Sequence, residues 1–129
     1  MLRNGRFPLA AHSLVEYAAG VVLIVVPFVL SFDSGTATAV SIVLGVAVLG
    51  IAASTDWPLS VMRSIPIPFH LALDLGLAAL LIAAPFVFGF SDETAPTAFF
   101  IVLGVVHLLL TIATRFVSEE RPPRPRQAS

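Results

Sequence analysis

HSLVEYAAGVVLIVVPFVLSF at residues 12–32 returns as HLALDLGLAALLIAAPFVFGF at residues 70–90, and the pairing of these two stretches decides the fold. At an offset of 58, His12 meets His70, Leu23-Ile24 meets Leu81-Ile82, Pro27-Phe28-Val29 meets Pro85-Phe86-Val87 and Phe32 meets Phe90. Glu16 meets Asp74, one carboxylate for another. One residue is inserted in the turn that follows. From there the offset is 59, and Ile42-Val43-Leu44-Gly45-Val46 meets Ile101-Val102-Leu103-Gly104-Val105. Residues 12–55 and 70–114 are therefore two copies of one unit, and a repeated unit of this length is one supersecondary structure written twice.

The composition says where that unit lives. The chain is 57% hydrophobic and only 12% charged, about half the charged share of a soluble domain. Residues 17–32, 34–55, 75–91 and 97–114 contain no Asp, Glu, Lys or Arg. Each is close to the roughly 20 residues a helix needs to cross a hydrocarbon layer. The sequence thus predicts an all-α integral membrane protein of four helices, made of two tandem transmembrane hairpins. Span 1 is expected from Ala11 to Phe32, span 2 from Thr36 to Ser54, span 3 from Phe69 to Phe90 and span 4 from Pro96 to Val117. The hairpin repeats then occupy 11–55 and 69–117, between an N-terminal segment 1–10, a connection 56–68 and a disordered tail 118–129. Four spans leave no room for a soluble catalytic domain.

Short turns, Asp33-Ser34-Gly35 and Ser91-Asp92-Glu93-Thr94-Ala95, make neighbouring spans antiparallel. The connection carries Pro58, Pro66 and Pro68, which disfavour continuous helix, although a short interfacial helix fits at Leu59 to Ser64. Trp57 is expected as an interfacial anchor. All seven basic residues, Arg3, Arg6, Arg63, Arg115, Arg121, Arg124 and Arg126, fall on one side of a four-span arrangement, and the two hairpin turns hold only acids. The positive-inside rule then places both termini and the connection in the cytoplasm. Because both hairpins start on that side, the copies are parallel repeats about an axis along the membrane normal. Arg3 and Arg6 resemble the start of a signal peptide, but His12 and Glu16 interrupt it and the same hairpin recurs at residue 70, so the first span is read as retained.

Some chemistries are excluded outright. Without cysteine there is no disulfide framework, thiolate metal site or cysteine nucleophile. The scattered arginines form no stripe for nucleic acid. No Ser-His-Asp arrangement or phosphate-cradling glycine loop is present.

What remains are the ionisable residues in or near the spans: His12, Glu16, His70, Asp74, His107 and Arg115. His12 with Glu16, and His70 with Asp74, are spaced i and i+4, so each pair shares one helix face. Two readings follow. In the first, each carboxylate neutralises its helix start and pairs with the histidine or with Arg115, fastening the bundle near the interface. In the second, the pairs converge across the twofold axis as a proton-linked or metal site, since intramembrane ionisable groups are functional hypotheses by default. The fastener reading is preferred, because the pairs lie near one end of their spans and no deeper acid continues a path. His107 is deeper, corresponds to Val48 in the other copy, and is expected to be a neutral histidine hydrogen-bonded to a neighbouring helix. Pro27-Phe28 and Pro85-Phe86 are read as architectural: each proline frees the carbonyl four residues back, at Leu23 and Leu81, and bends the outer third of its span. Ala37, Ser41 and Gly45 form a small-residue row suited to close helix packing.

The repeated Pro-Phe-Val-x-x-Phe after an apolar run, with its His-x-x-x-acid lead-in, resembles the SPW repeat family of small bacterial and archaeal membrane proteins. That family is named for Ser-Pro-Trp at the end of the first helix of each repeat. Here the motif reads Val26-Pro27-Phe28 and Ala84-Pro85-Phe86, with both Ser and Trp replaced, and Phe32 and Gly89-Phe90 keep its ending. The resemblance covers about residues 12–114. It implies a four-helix integral membrane protein and carries over no catalytic residues; the chain is expected in the cytoplasmic membrane. The sequence therefore reads as a non-enzymatic structural or interaction protein without a cofactor, in contact with the bilayer and with a second copy or another membrane protein. A small transporter or proton- or metal-binding protein using the two His-carboxylate pairs is the alternative.

Overall fold

The computed structural model describes residues 8–57 and 59–114. In chain order its helices are α1 (Leu9–Val29), α2 (Gly35–Ser54), α3 (Ile67–Val87) and α4 (Thr94–Ala113). At 20 or 21 residues each, they run about 30 Å at 1.5 Å per residue, which matches the hydrocarbon thickness of a bilayer. All four are apolar around most of their circumference, and residues such as Phe28, Val43, Phe69 and Val102 stand exposed on the outside, as they must where the solvent is lipid. The chain is a multi-pass membrane protein.

The helix ends differ from the sequence expectation for local reasons. α1 stops at Val29, not Phe32, and α3 at Val87, not Phe90. In both copies the chain then turns left-handed, at Ser31 (φ 50°) and Gly89 (φ 78°). Phe32 N–H donates to Pro27 O and Phe90 N–H to Pro85 O, each at 2.9 Å. That six-residue closure is a Schellman stop, and it ends each helix two residues after its proline. Each proline thus sits in the last turn of its helix. α3 opens earlier than Phe69, at Ile67, because Pro68 sits where the first turn needs no N–H. α4 likewise takes Pro96 into its first turn and ends at Ala113. Val117, Arg115, residues 1–7 and the tail 118–129 lie outside the described residues.

Helix packing is heaviest within each hairpin, α1 on α2 and α3 on α4. Glycine sets the distance. A Cβ built on Gly45 would lie 2.7 Å from Gly20 O and 3.0 Å from Leu23 Cβ, so the α1 and α2 backbones touch where neither has a side chain. In the second copy a Cβ on Gly104 would lie 3.1 Å from Ala78 O and 2.8 Å from Ile82 Cγ1, the equivalent crossing. The Ala37, Ser41 and Gly45 row does face inward, continued by Val48 and Ala52. Between the hairpins the backbones stay further apart, and side chains fill the gap. Toward the hairpin turns that filling is apolar: Leu23, Leu81, Ala84, Phe90 and Phe100 are buried together, with Phe32 and Phe99 packed against them.

The turns are tied across the copies. The Glu93 carboxylate accepts from Asp33 N–H at 2.6 Å and Ser34 N–H at 2.8 Å, at the positive end of α2. At the other end, the connection folds back onto the last turn of α2. Val61 and Met62 N–H donate to Ala53 O, Ser64 and Ile65 N–H to Ser54 O, and Asp56 N–H to Ile65 O. The carbonyls of Ala53 and Ser54 at the end of α2 are satisfied this way, so the segment Leu59 to Ser64 is an irregular, turning return and not the short interfacial helix that would fit there.

Candidate functional site

His12 and Glu16 are the fourth and eighth residues of α1, and His70 and Asp74 are the fourth and eighth of α3. Neither helix has an acid in its first turn, and the N-caps are Pro8 and Pro66 with no side-chain cap. The carboxylates are therefore not capping groups. They stand about 10 Å along their helices, at 1.5 Å per residue, and point into the space between the hairpins. All four side chains are buried, with 0–1% of their surface exposed. The two pairs do converge, and more tightly than a shallow interfacial position suggests.

The contacts cross from copy to copy. His12 Nε2 lies 3.1 Å from Glu16 Oε2 in its own helix and 3.0 Å from Asp74 Oδ2 in the other hairpin. His70 Nε2 lies 3.1 Å from Asp74 Oδ1 and 2.9 Å from Glu16 Oε2. On the far side of each ring, His12 Nδ1 is 2.8 Å from Thr114 Oγ1, and His70 Nδ1 is 2.7 Å from Thr55 Oγ1. The pseudo-twofold axis is visible in these bonds: each histidine takes its hydroxyl partner from the residue that closes the second helix of the other copy.

The threonines fix the tautomer. Thr55 Oγ1 donates to Ile51 O and Thr114 Oγ1 to Leu110 O, each at 2.6 Å. A hydroxyl has one proton. With that proton given to the helix carbonyl, each threonine oxygen accepts from Nδ1–H, and each Nε2 is turned toward the carboxylates.

Two further residues belong to the site. His107 is not held by a partner of its own at mid-span. α4 runs antiparallel, so a residue six before its end at Ala113 sits at the depth of Asp74, eighth in α3. His107 Nε2 lies 3.3 Å from Asp74 Oδ1, yet it is buried without a well-formed hydrogen bond. Trp57 is 2% exposed and therefore not an interfacial anchor. The folded-back connection draws it inward, where its Nε1–H donates to Ala52 O at 2.7 Å and its ring lies 4.3 Å from that of His70 and 5.9 Å from that of His12. An indole thus covers one side of the polar cluster. Arg115, the other sequence-predicted partner, lies outside the described residues.

Away from this cluster toward the turns, polar groups are few. Ser41 Oγ donates to Leu23 O, the carbonyl that Pro27 leaves without an N–H partner. The matching position in the second copy is Phe100, which carries no hydroxyl.

The Pro-Phe-Val ending, the His-x-x-x-acid opening and the two-hairpin fold are shared features of a known repeat. The profile of the SPW repeat domain matches residues 10–114, both hairpins together. The chain belongs to the SPW repeat family. Its departures from the repeat's Ser-Pro-Trp are the Val26, Phe28, Ala84 and Phe86 substitutions, all at the turn end and away from the polar cluster. No curated protein and no solved structure matches the chain.

Proposed function

We propose that this SPW repeat protein is a non-enzymatic structural or interaction protein of the cytoplasmic membrane, with both termini in the cytoplasm. Its His-carboxylate cluster is the fastener that holds two hairpins as one packing unit. The observation that carries this reading is the crossing of the contacts. Glu16 and Asp74 each bridge the histidines of both hairpins, and both threonines reach across, while backbone packing between the hairpins is sparse. A carrier reading has the buried ionisable groups in its favour but lacks a route, because the space toward the turns is filled by Leu23, Leu81, Phe90 and Phe100. The exposed apolar faces of the resulting bundle suit helix packing with a second copy or another membrane protein.

Two measurements test this. A protease site placed at exposed Met62 in the full chain allows the connection to be cut. The cut wild type is expected to remain one particle in mild detergent, and cut Glu16→Leu/Asp74→Leu to separate into two hairpins. A cut double variant that stays together sinks the fastener. For orientation, cysteines at Ser34 and Asp92 should react with an impermeant thiol reagent on intact cells and one at Ser64 should not; the reverse pattern overturns the topology.

A further inference from the structure

We propose that His12, Glu16, His70 and Asp74 bind one divalent transition-metal ion of the zinc class, through Nε2 of each imidazole and one oxygen of each carboxylate. This rests on the fastener reading and names what the fastener holds.

Four observations carry it. The tautomer comes first. With Nδ1–H donated to Thr55 and Thr114, both Nε2 atoms face two carboxylates each. If Nε2 is unprotonated, its lone pair opposes carboxylate lone pairs at about hydrogen-bond distance, and the centre must contain positive charge. A histidine whose outer N–H is fixed by an oxygen while its other nitrogen faces inward is the arrangement of metal-bound imidazoles.

The second observation is that neither imidazole prefers one carboxylate. The distances are 3.1 and 3.0 Å at His12 and 2.9 and 3.1 Å at His70. A single N–H makes its strongest bond to one acceptor in line with it, and here each ring nitrogen is offered two carboxylates at similar range. Glu16 Oε2 faces both rings, while Asp74 turns Oδ2 toward His12 and Oδ1 toward His70. Zinc bonds of about 2.0–2.2 Å in a tetrahedron give edges of roughly 3.4 Å, a few tenths of an ångström longer than these nitrogen–oxygen distances. One ligand atom from each of the four residues already lies within 4.8 Å of all the others.

Third, the charge balances. Two neutral imidazoles and two carboxylates carry two negative charges, which a divalent cation cancels in a region that is buried and surrounded by apolar helices. The fourth is His107, a buried nitrogen aimed at the Asp74 carboxylate without a hydrogen-bond partner.

The chain has three histidines and all of them are in this cluster, which makes the test clean. The full chain, purified through a histidine-free tag from cells grown with added Zn2+, is expected to retain one zinc per chain, with imidazole nitrogen in its X-ray absorption spectrum. Replacement by Co2+ should give the visible bands of a four- or five-coordinate ion. Asp74→Asn and His70→Gln should each lower the affinity at least 100-fold, and Thr55→Val or Thr114→Val about 10–100-fold, the usual effect of removing a group that orients a ligand. Wild-type protein that is folded but carries no Zn2+ and gives no Co2+ bands overturns the proposal, whatever the variants do. So does retained metal that is insensitive to the threonine variants. If metal is absent while the cut Glu16→Leu/Asp74→Leu protein still separates, protons alone bind the fastener together and only the metal falls. If metal is bound and the cut double variant stays together, the metal site stands without its fastening role.

Discussion

The two hairpins follow the same path but fill it differently, and the differences are not evenly spread. Near the termini the copies answer each other residue for residue: His12 and His70, Glu16 and Asp74, Thr55 and Thr114 make corresponding bonds. Toward the turns the equivalence fails. Ser41 in the first copy donates to a proline-freed carbonyl, whereas Phe100 in the second fills space against Phe90 at 5.2 Å. Ser34 caps its own helix through Ala37 N–H, while Glu93 at the matching place reaches across to the first copy's turn. An apolar core is satisfied by any set of side chains that fills the volume. A buried set of charges is not, because each atom needs its partner at a given place. The twofold is kept in the histidines, acids and threonines whose contacts require one another and relaxed around them.

The strongest way to break this comparison is to remove one carboxylate from each copy in turn. Asp74→Ala should cost about 3–5 kcal/mol, since it strands two buried imidazoles and removes the group nearest a third. Glu16→Ala should cost less, as His107 is beside Asp74 and not Glu16. Unfolding in detergent checks the order, and equal losses would mean that His107 contributes nothing. A smaller effect is expected at the turn end. Ser41→Ala leaves Leu23 O buried without its hydroxyl donor, at about 1–3 kcal/mol, measured by the same unfolding assay. No loss would show that another group takes over and that the copies differ less than Ser41 and Phe100 suggest. Smallest are the helix stops. Ser31→Gly should stabilise by about 1 kcal/mol, because a left-handed residue without a Cβ is unstrained, and Gly89→Ala should destabilise by a similar amount. Changes of the same sign at both positions would contradict the shared Schellman geometry.

The fold was readable because duplication and hydropathy are both properties of linear order. The charge-free stretches and the offsets of 58 and 59 define four spans in two hairpins before any contact is known. The site was half readable. The i, i+4 spacing put each histidine and acid on one face, but whether the two faces meet depends on how the hairpins rotate, which no spacing contains. His107 was within reach: counting back from the end of an antiparallel span gives the depth of Asp74. Thr55 and Thr114 also match across the repeat, yet an uncharged hydroxyl at the end of a span attracts no notice until a ring nitrogen is placed beside it. Trp57 reads in the sequence as an interfacial anchor because a tryptophan after a span normally sits in the headgroup layer. Here the hydrogen bonds of residues 61–65 to Ala53 and Ser54 pull the connection back over the helix end. Gly20 shows its importance only beside Gly45, where a missing side chain is a contact.

The reach of each histidine to a threonine in the opposite hairpin has a bearing on ancestry. A hairpin by itself carries a histidine without its hydroxyl, a hydroxyl without its histidine, and one acid where two are needed. A single-repeat progenitor with this arrangement could finish its site only by pairing with an identical chain, head beside head in the same bilayer orientation. Fusion of two such chains would then have replaced an encounter in the membrane with a tether. It would also have freed the two halves to diverge, as Val48 and His107 have, into a centre that no symmetric dimer is able to build.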